Sequence, residues 1–189
     1  ATLPDDLYER METLAVKHTG YRIPFVTGWG STETAPTATS VHWASDRVGL
    51  VGLPYPGVQL KMVPTGEEGR YELRLKSVIV TPGYYKRPEA TESMFHDGWL
   101  CTGDLAYMLG GELVICGRIK DVIIVGGRNV FPEDIERSVG AIDGVRAGNV
   151  IAFGVDGYKG KETVVVVAEV KTDDPETVRA AIHHAALEV

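Results

Sequence analysis

Gly and Pro punctuate residues 49–117 so often that the apolar runs between them have strand length and not helix length. Val58–Val63, Tyr71–Lys76 and Glu112–Cys116 read as short strands, with Pro64-Thr65-Gly66, Pro82-Gly83 and Gly110-Gly111 as turns. Several short strands in about seventy residues predict a small barrel or sandwich. The flanking regions follow other rules. Residues 5–18 predict an amphipathic helix with Leu7, Met11, Leu14 and Ala15 on one face, and Ile23–Thr27 predicts a strand.

After Arg118 the pattern changes again. Val122–Val125 is an apolar run, Gly126-Gly127 a turn, and Pro132-Glu133-Asp134 a helix start in which acids oppose the helix dipole. Val150–Phe153 and Val164–Val170 read as strands, and Asp174-Pro175 opens a last helix with Val178, Ala181, Ile182 and Ala185 on its apolar side. A β–α–β–β–α order over 121–189 makes a separate α+β unit, with the boundary expected at Ile119–Lys120.

At 189 residues, 44% apolar and 24% charged, the chain has room for one or two cores. A net charge of −7 argues against binding to nucleic acid or an anionic membrane surface, both of which draw on an excess of Lys and Arg. No transmembrane-length run and no basic-then-apolar leader is present. Cys101 and Cys116 lack metal-like spacing and sit in apolar surroundings, which predicts buried free thiols in a reducing, cytoplasmic setting.

Asp104, in Thr102-Gly103-Asp104, and Arg118, in Gly117-Arg118-Ile119-Lys120-Asp121, lie on either side of a predicted hairpin. A carboxylate accepts hydrogen bonds and a guanidinium donates them, so the pair could grip a vicinal diol such as that of a ribose. By itself it could equally be a structural salt bridge. Upstream, Ser31-Thr32-Glu33 has the composition of a helix cap. Gly157–Lys161 lacks phosphate-loop spacing and reads as a hairpin turn. His183 and His184 are adjacent on a helix and face apart, while His18, His42 and His96 have no ligand-spaced partners.

Residues 28–33 (Gly-Trp-Gly-Ser-Thr-Glu), 98–104 (Gly-Trp-Leu-Cys-Thr-Gly-Asp) and 117–136 resemble the adenylate-forming enzymes. That superfamily includes acyl-CoA synthetases, fatty acyl-AMP ligases and non-ribosomal peptide adenylation domains. Two lesser signatures, 49–57 and 83–91, lie between them in the family's order. The resemblance implies a mixed α/β fold. Residues 1–48 would end an α/β nucleotide-binding subdomain, 49–119 would form a small distorted β-barrel, and 120–189 a truncated α+β C-terminal domain.

The resemblance also implies roles. Trp29, with Gly30 and Ser31, would meet adenine; the flanking glycines predict a ring with little cover, and the bland alternative is a core tryptophan. Thr32 would meet the α-phosphate and Glu33 would hold Mg²⁺. Asp104 and Arg118 would take the ribose hydroxyls. Lys120 would be the hinge, otherwise a solvated side chain, and Gly126-Gly127 a thiol-side loop, otherwise a tight turn. ATP or AMP and Mg²⁺ are the implied ligands, with CoA or phosphopantetheine as acyl acceptor, a small carboxylic acid as substrate and an acyl carrier protein as a possible partner.

Two family elements have no counterpart here, a Lys-bearing phosphate loop expected upstream of Ala1 and a Gly-Lys expected beyond Val189. The chain alone is therefore expected to be inactive. Gly127-Arg128-Asn129 and the following Phe-Pro-Glu-Asp-Ile-Glu resemble fatty acyl-AMP ligases, whereas Thr27–Thr39 looks more like aryl- or feruloyl-CoA synthases. An amino-acid adenylation domain and a non-catalytic nucleotide-binding or docking module are the alternatives.

Overall fold

The computed structural model describes residues 5–43, 49–67, 69–157 and 162–189. The chain divides into two compact units, Ala1–Cys116 and Gly117–Val189. The predicted Gly157–Lys161 turn lies, apart from Gly157, outside the described residues.

The first unit opens with α1 (Asp5–Thr19). Its predicted apolar face finds little cover, since Leu7 is 37% and Leu14 53% exposed. The predicted strand Ile23–Thr27 does not form. Pro24 interrupts the run and lacks an N–H for a ladder, and Ile23 and Val26 both face solvent. Pairing starts one residue later. β1 (Gly28–Trp29) pairs antiparallel with β2 (Thr39–Ser40), which pairs with β3 (Leu53–Pro54). Side chains tie this small sheet down further: Thr27 Oγ1 donates to Leu50 O at 2.5 Å and Thr39 Oγ1 to Val51 O at 2.7 Å.

The rest of the first unit is a curled, half-barrel antiparallel sheet. It contains β4 (Gln59–Pro64), β5 (Tyr71–Lys76), β6 (Phe95–His96), β7 (Trp99–Leu109) and β8 (Glu112–Arg118), with α2 (Pro88–Ser93) between β5 and β6. β4 pairs with β5, and the long β7 pairs with β5, β6 and β8. Alternation along β5 puts Leu73 and Leu75 inside, both with no exposed surface, where they join Trp29, Ala38, Val58, Ala106 and Leu113 in one core. The small sheet and the half-barrel therefore share their apolar filling. Cys101 and Cys116 are partly exposed and not buried as expected, and desolvation pushes the Cys101 thiol above its ordinary range.

In the second unit a 3₁₀ turn (Ile119–Asp121) leads to β9 (Ile123–Val125) and β10 (Arg128–Val130), a hairpin closed by Gly126-Gly127. α3 (Pro132–Gly140), β11 (Val145–Asp156), β12 (Glu162–Val170) and α4 (Pro175–Glu188) follow. The order matches the predicted one with an added strand, β10, too short and polar to show as an apolar run. Ile135, Val139 and Ala152 form the core, with Val164, Val166, Ile182 and Ala185 packed around them. Glu136 Oε1 accepts a 2.9 Å bond from Ala152 N and so ties α3 to β11.

Candidate functional site

The ladder between β5 and β7 is broken where the Thr102-Gly103-Asp104 motif lies. Glu72 pairs with Leu105 and Arg74 with Cys101, so Leu73 alone faces the three residues 102–104. This is a bulge, and bulges bend a strand and re-aim its side chains. Gly103 takes φ +71°, a left-handed conformation that glycine adopts without a steric penalty. Thr102 Oγ1 pins the bulge by donating to Leu73 O at 2.5 Å, and Asp104 N donates to that same hydroxyl at 3.1 Å. The composition of the motif follows from its geometry: a hydroxyl to tie, a glycine to turn, a carboxylate to present.

Asp104 is only 7% exposed, and its Oδ2 accepts a 2.8 Å bond from Trp29 Nε1. The two motifs, 75 positions apart, thus meet through their side chains. The Trp29 ring is 9% exposed and belongs to the core of the unit. The flanking glycines do not leave the ring uncovered. They let the backbone of residues 36–40 lie against β1: a Cβ on Gly30 would stand 1.9 Å from Pro36 O, and one on Gly28 2.5 Å from Thr39 O.

Ser31, Thr32 and Glu33 follow directly. Thr32–Thr34 is one 3₁₀ turn with Ser31 at its start, and Ser31 N donates to Thr34 Oγ1 at 2.8 Å. The cap-like composition is therefore used as a cap, by Thr34. Thr32 is left exposed. Glu33 Oε1 accepts from the Tyr84 hydroxyl at 2.5 Å. That bond, then one from Ser31 and one from its own backbone amide, hold Glu33 below the usual carboxylate range, and the same contact raises the Tyr84 phenol. Tyr84 escaped the sequence reading as a site residue; the only signal was its place in the 83–91 signature.

Glu33 offers an ionised, hard oxygen donor beside a turn. Among the described residues no group of three or more metal-ligating side chains exists. Mg²⁺ keeps several waters and takes one or two carboxylates together with substrate phosphates, a mode of binding that a single carboxylate such as Glu33 fits.

Arg118 ends β8 at the start of the second unit and is exposed, as is Lys120 in the 3₁₀ turn that follows. Gly126 and Gly127, with φ +60° and +84°, form a two-residue hairpin turn with open space beside both. No described helix is long and apolar enough to cross a membrane.

No family model matches the chain. A long-chain-fatty-acid–CoA ligase of Bacillus subtilis is 32% identical over 188 residues, covering 93% of this chain and 32% of the relative. A feruloyl-CoA synthase of Amycolatopsis is 36% identical over 148 residues, covering 73% and 30%. The crystal structure of ATP-bound MatB from Rhodopseudomonas palustris superposes with a TM-score of 0.78 at 30% identity, over the whole chain and 37% of that protein. The chain belongs to the adenylate-forming superfamily, in its acyl-CoA synthetase-like branch. It spans about a third of the length of these relatives.

Proposed function

We propose that this chain works as part of an ATP-dependent acid–thiol ligase whose complete form has the length of its relatives. In that enzyme a carboxylate attacks the α-phosphate of ATP, giving an acyl-adenylate and pyrophosphate, and a thiol then takes the acyl group as AMP leaves. The observation that most supports this reading is the hydrogen bond between Trp29 and Asp104, which joins the expected adenine and ribose contacts in one place.

Each residue has a definite task in this scheme. Asp104 accepts from a ribose hydroxyl; a carboxylate has about four acceptor positions, so the bond from Trp29 orients it without exhausting it. Trp29 backs the adenine and holds Asp104, since a ring 9% exposed offers little face for stacking. Gly30 and Ser31 shape the loop, and Thr32 donates to the α-phosphate. Magnesium, when bound with ATP, supplies charge neutralisation at the phosphates, and Glu33 is the residue here that would hold it. Arg118 donates to the ribose, Lys120 is the hinge, and Gly126-Gly127 lie beside the incoming thiol. The substrate is a fatty or aryl carboxylic acid, the thiol that of CoA or of a carrier protein's phosphopantetheine, and the setting cytoplasmic.

ATP–pyrophosphate exchange by the complete ligase across fatty and aryl acids, with product formation tested for dependence on CoA, checks the proposal. Acid-dependent exchange is expected. Its absence for every acid, or a complete gene product lacking both the phosphate loop and the terminal Gly-Lys, would sink the ligase reading.

A further inference from the structure

The 83–91 signature has no part in the scheme above, yet much of its hydrogen bonding serves to place one phenol. Thr81 N donates to Glu33 O at 2.9 Å, fixing the segment to the turn that carries the carboxylate. Thr81 Oγ1 donates to Gly83 O at 3.2 Å, Tyr84 N to Thr91 Oγ1 at 2.9 Å, and Arg87 N to Tyr84 O at 3.2 Å. Thr91 Oγ1 in turn donates to Arg87 O at 2.9 Å, which anchors the loop to α2. Gly83 packs so closely on Thr91 that a Cβ there would meet its Cγ2 at 2.3 Å. The ring delivered by this brace is not used for burial: Tyr84 is 43% exposed. Its one polar atom lies 2.5 Å from Glu33 Oε1, a distance typical of a charge-assisted O–H···O⁻ bond.

We propose that Tyr84 is a positioning residue, its phenol braced by residues 81–91 to fix the Glu33 carboxylate in the direction from which a cation-bound triphosphate arrives. The inference rests on the reading of Glu33 as the cation-side carboxylate. A free glutamate side chain loses rotamer entropy when it binds a cation; one already held by Tyr84 and Ser31 has lost much of it beforehand. Tyr84 itself need touch neither cation nor nucleotide. Its effect is confined to ligands that bring a cation, so AMP without metal should not sense it.

The test uses the complete ligase and two binding measurements, Mg·ATP as a function of free magnesium and AMP without metal, alongside pyrophosphate exchange. Tyr84→Phe keeps the ring and removes only the hydroxyl. The magnesium concentration for half-maximal ATP binding should rise about three- to tenfold, as expected for one lost hydrogen bond, with AMP affinity unchanged. In exchange assays the loss should be recovered at high magnesium. In a Glu33→Gln background, Tyr84→Phe should add nothing. If Glu33→Gln raises the magnesium requirement and Tyr84→Phe does not, or if Tyr84→Phe weakens AMP equally, the inference is overturned while the ligase reading stands. If ATP binding by the unmodified protein ignores magnesium, the cation reading of Glu33 falls and this inference with it.

Discussion

Trp29 Nε1 donates a 2.8 Å hydrogen bond to Asp104 Oδ2, and both side chains are over nine-tenths buried. Neither group would tolerate burial alone, since an indole N–H and a carboxylate each lose water on folding and need a partner. The contact converts two distant motifs into one structure: the bulge at 102–104 aims the carboxylate, and the indole meets it from β1.

Asp104→Ala should therefore act on stability as well as on nucleotide binding. It leaves the Trp29 N–H buried without this acceptor, and the expected loss is about 1–3 kcal/mol in urea unfolding of the chain. Trp29→Phe should lose a comparable amount, and a double-mutant cycle should show strong coupling between the two. In the complete ligase Asp104→Ala should also raise the KM for ATP. Additive stability effects would argue against the bond, and an unchanged ATP dependence against the ribose role.

Two glycines separate lack of space from backbone strain. Gly30 lies outside the left-handed region, but an added Cβ would press on the Pro36 backbone at 1.9 Å, which only movement of the chain can relieve. Gly126 is surrounded by open space and has φ +60°. Gly126→Ala should lose about 1–2 kcal/mol, the penalty of a left-handed non-glycine residue. Gly126→Asn should recover part of it, because Asn visits that region readily. For Gly30→Ala no such rescue exists, and thermal unfolding should show the larger loss. Equal effects at the two positions would contradict the close approach of residues 36–40 to β1.

Local signals were legible wherever a single segment carries its own reason to fold. Tyr71–Lys76 alternates and is a strand with those bounds; Pro132 and Pro175 open helices; Gly110-Gly111 and Gly126-Gly127 close hairpins. The Ile23–Thr27 prediction fails because apolar content outweighed Pro24. The bulge at 102–104 could not be read, since register is a property of two strands and the residues opposite lie near Leu73. Motif order pointed to Trp29, Glu33 and Asp104, but not to the bond between two of them or to Tyr84, because both partnerships span more than fifty positions of chain.

In the second unit the core between α3 and the β11–β12 hairpin should be far more sensitive than the hairpin's exposed face. Ile135 has no exposed surface, whereas Ile151 is 53% exposed. Ile135→Ala should lose about 2–5 kcal/mol through lost burial and the cavity left behind. For Ile151→Ala the expected change is within about 1 kcal/mol. Guanidinium unfolding followed by circular dichroism measures both, and a small effect at Ile135 would refute the core assigned around α3.

The start of α4 supplies a pH test. Asp174 Oδ1 accepts from Thr177 N at 3.2 Å, and its Oδ2 accepts from Thr177 Oγ1 at 2.6 Å. The bond from the Thr177 side chain, then that from its backbone, hold the Asp174 carboxyl below the ordinary aspartate range. A carboxyl depressed on folding stabilises the fold when ionised. The contribution is complete above the unfolded value, near pH 4, and is lost as pH falls through the lower folded value. Asp174→Asn keeps a capping oxygen but cannot titrate, so its stability should fall less than that of the parent chain between about pH 5 and pH 3. Asp174 is exposed, so added salt should shrink the difference. Parallel acid limbs for the two proteins would show that the cap contributes nothing as a charge.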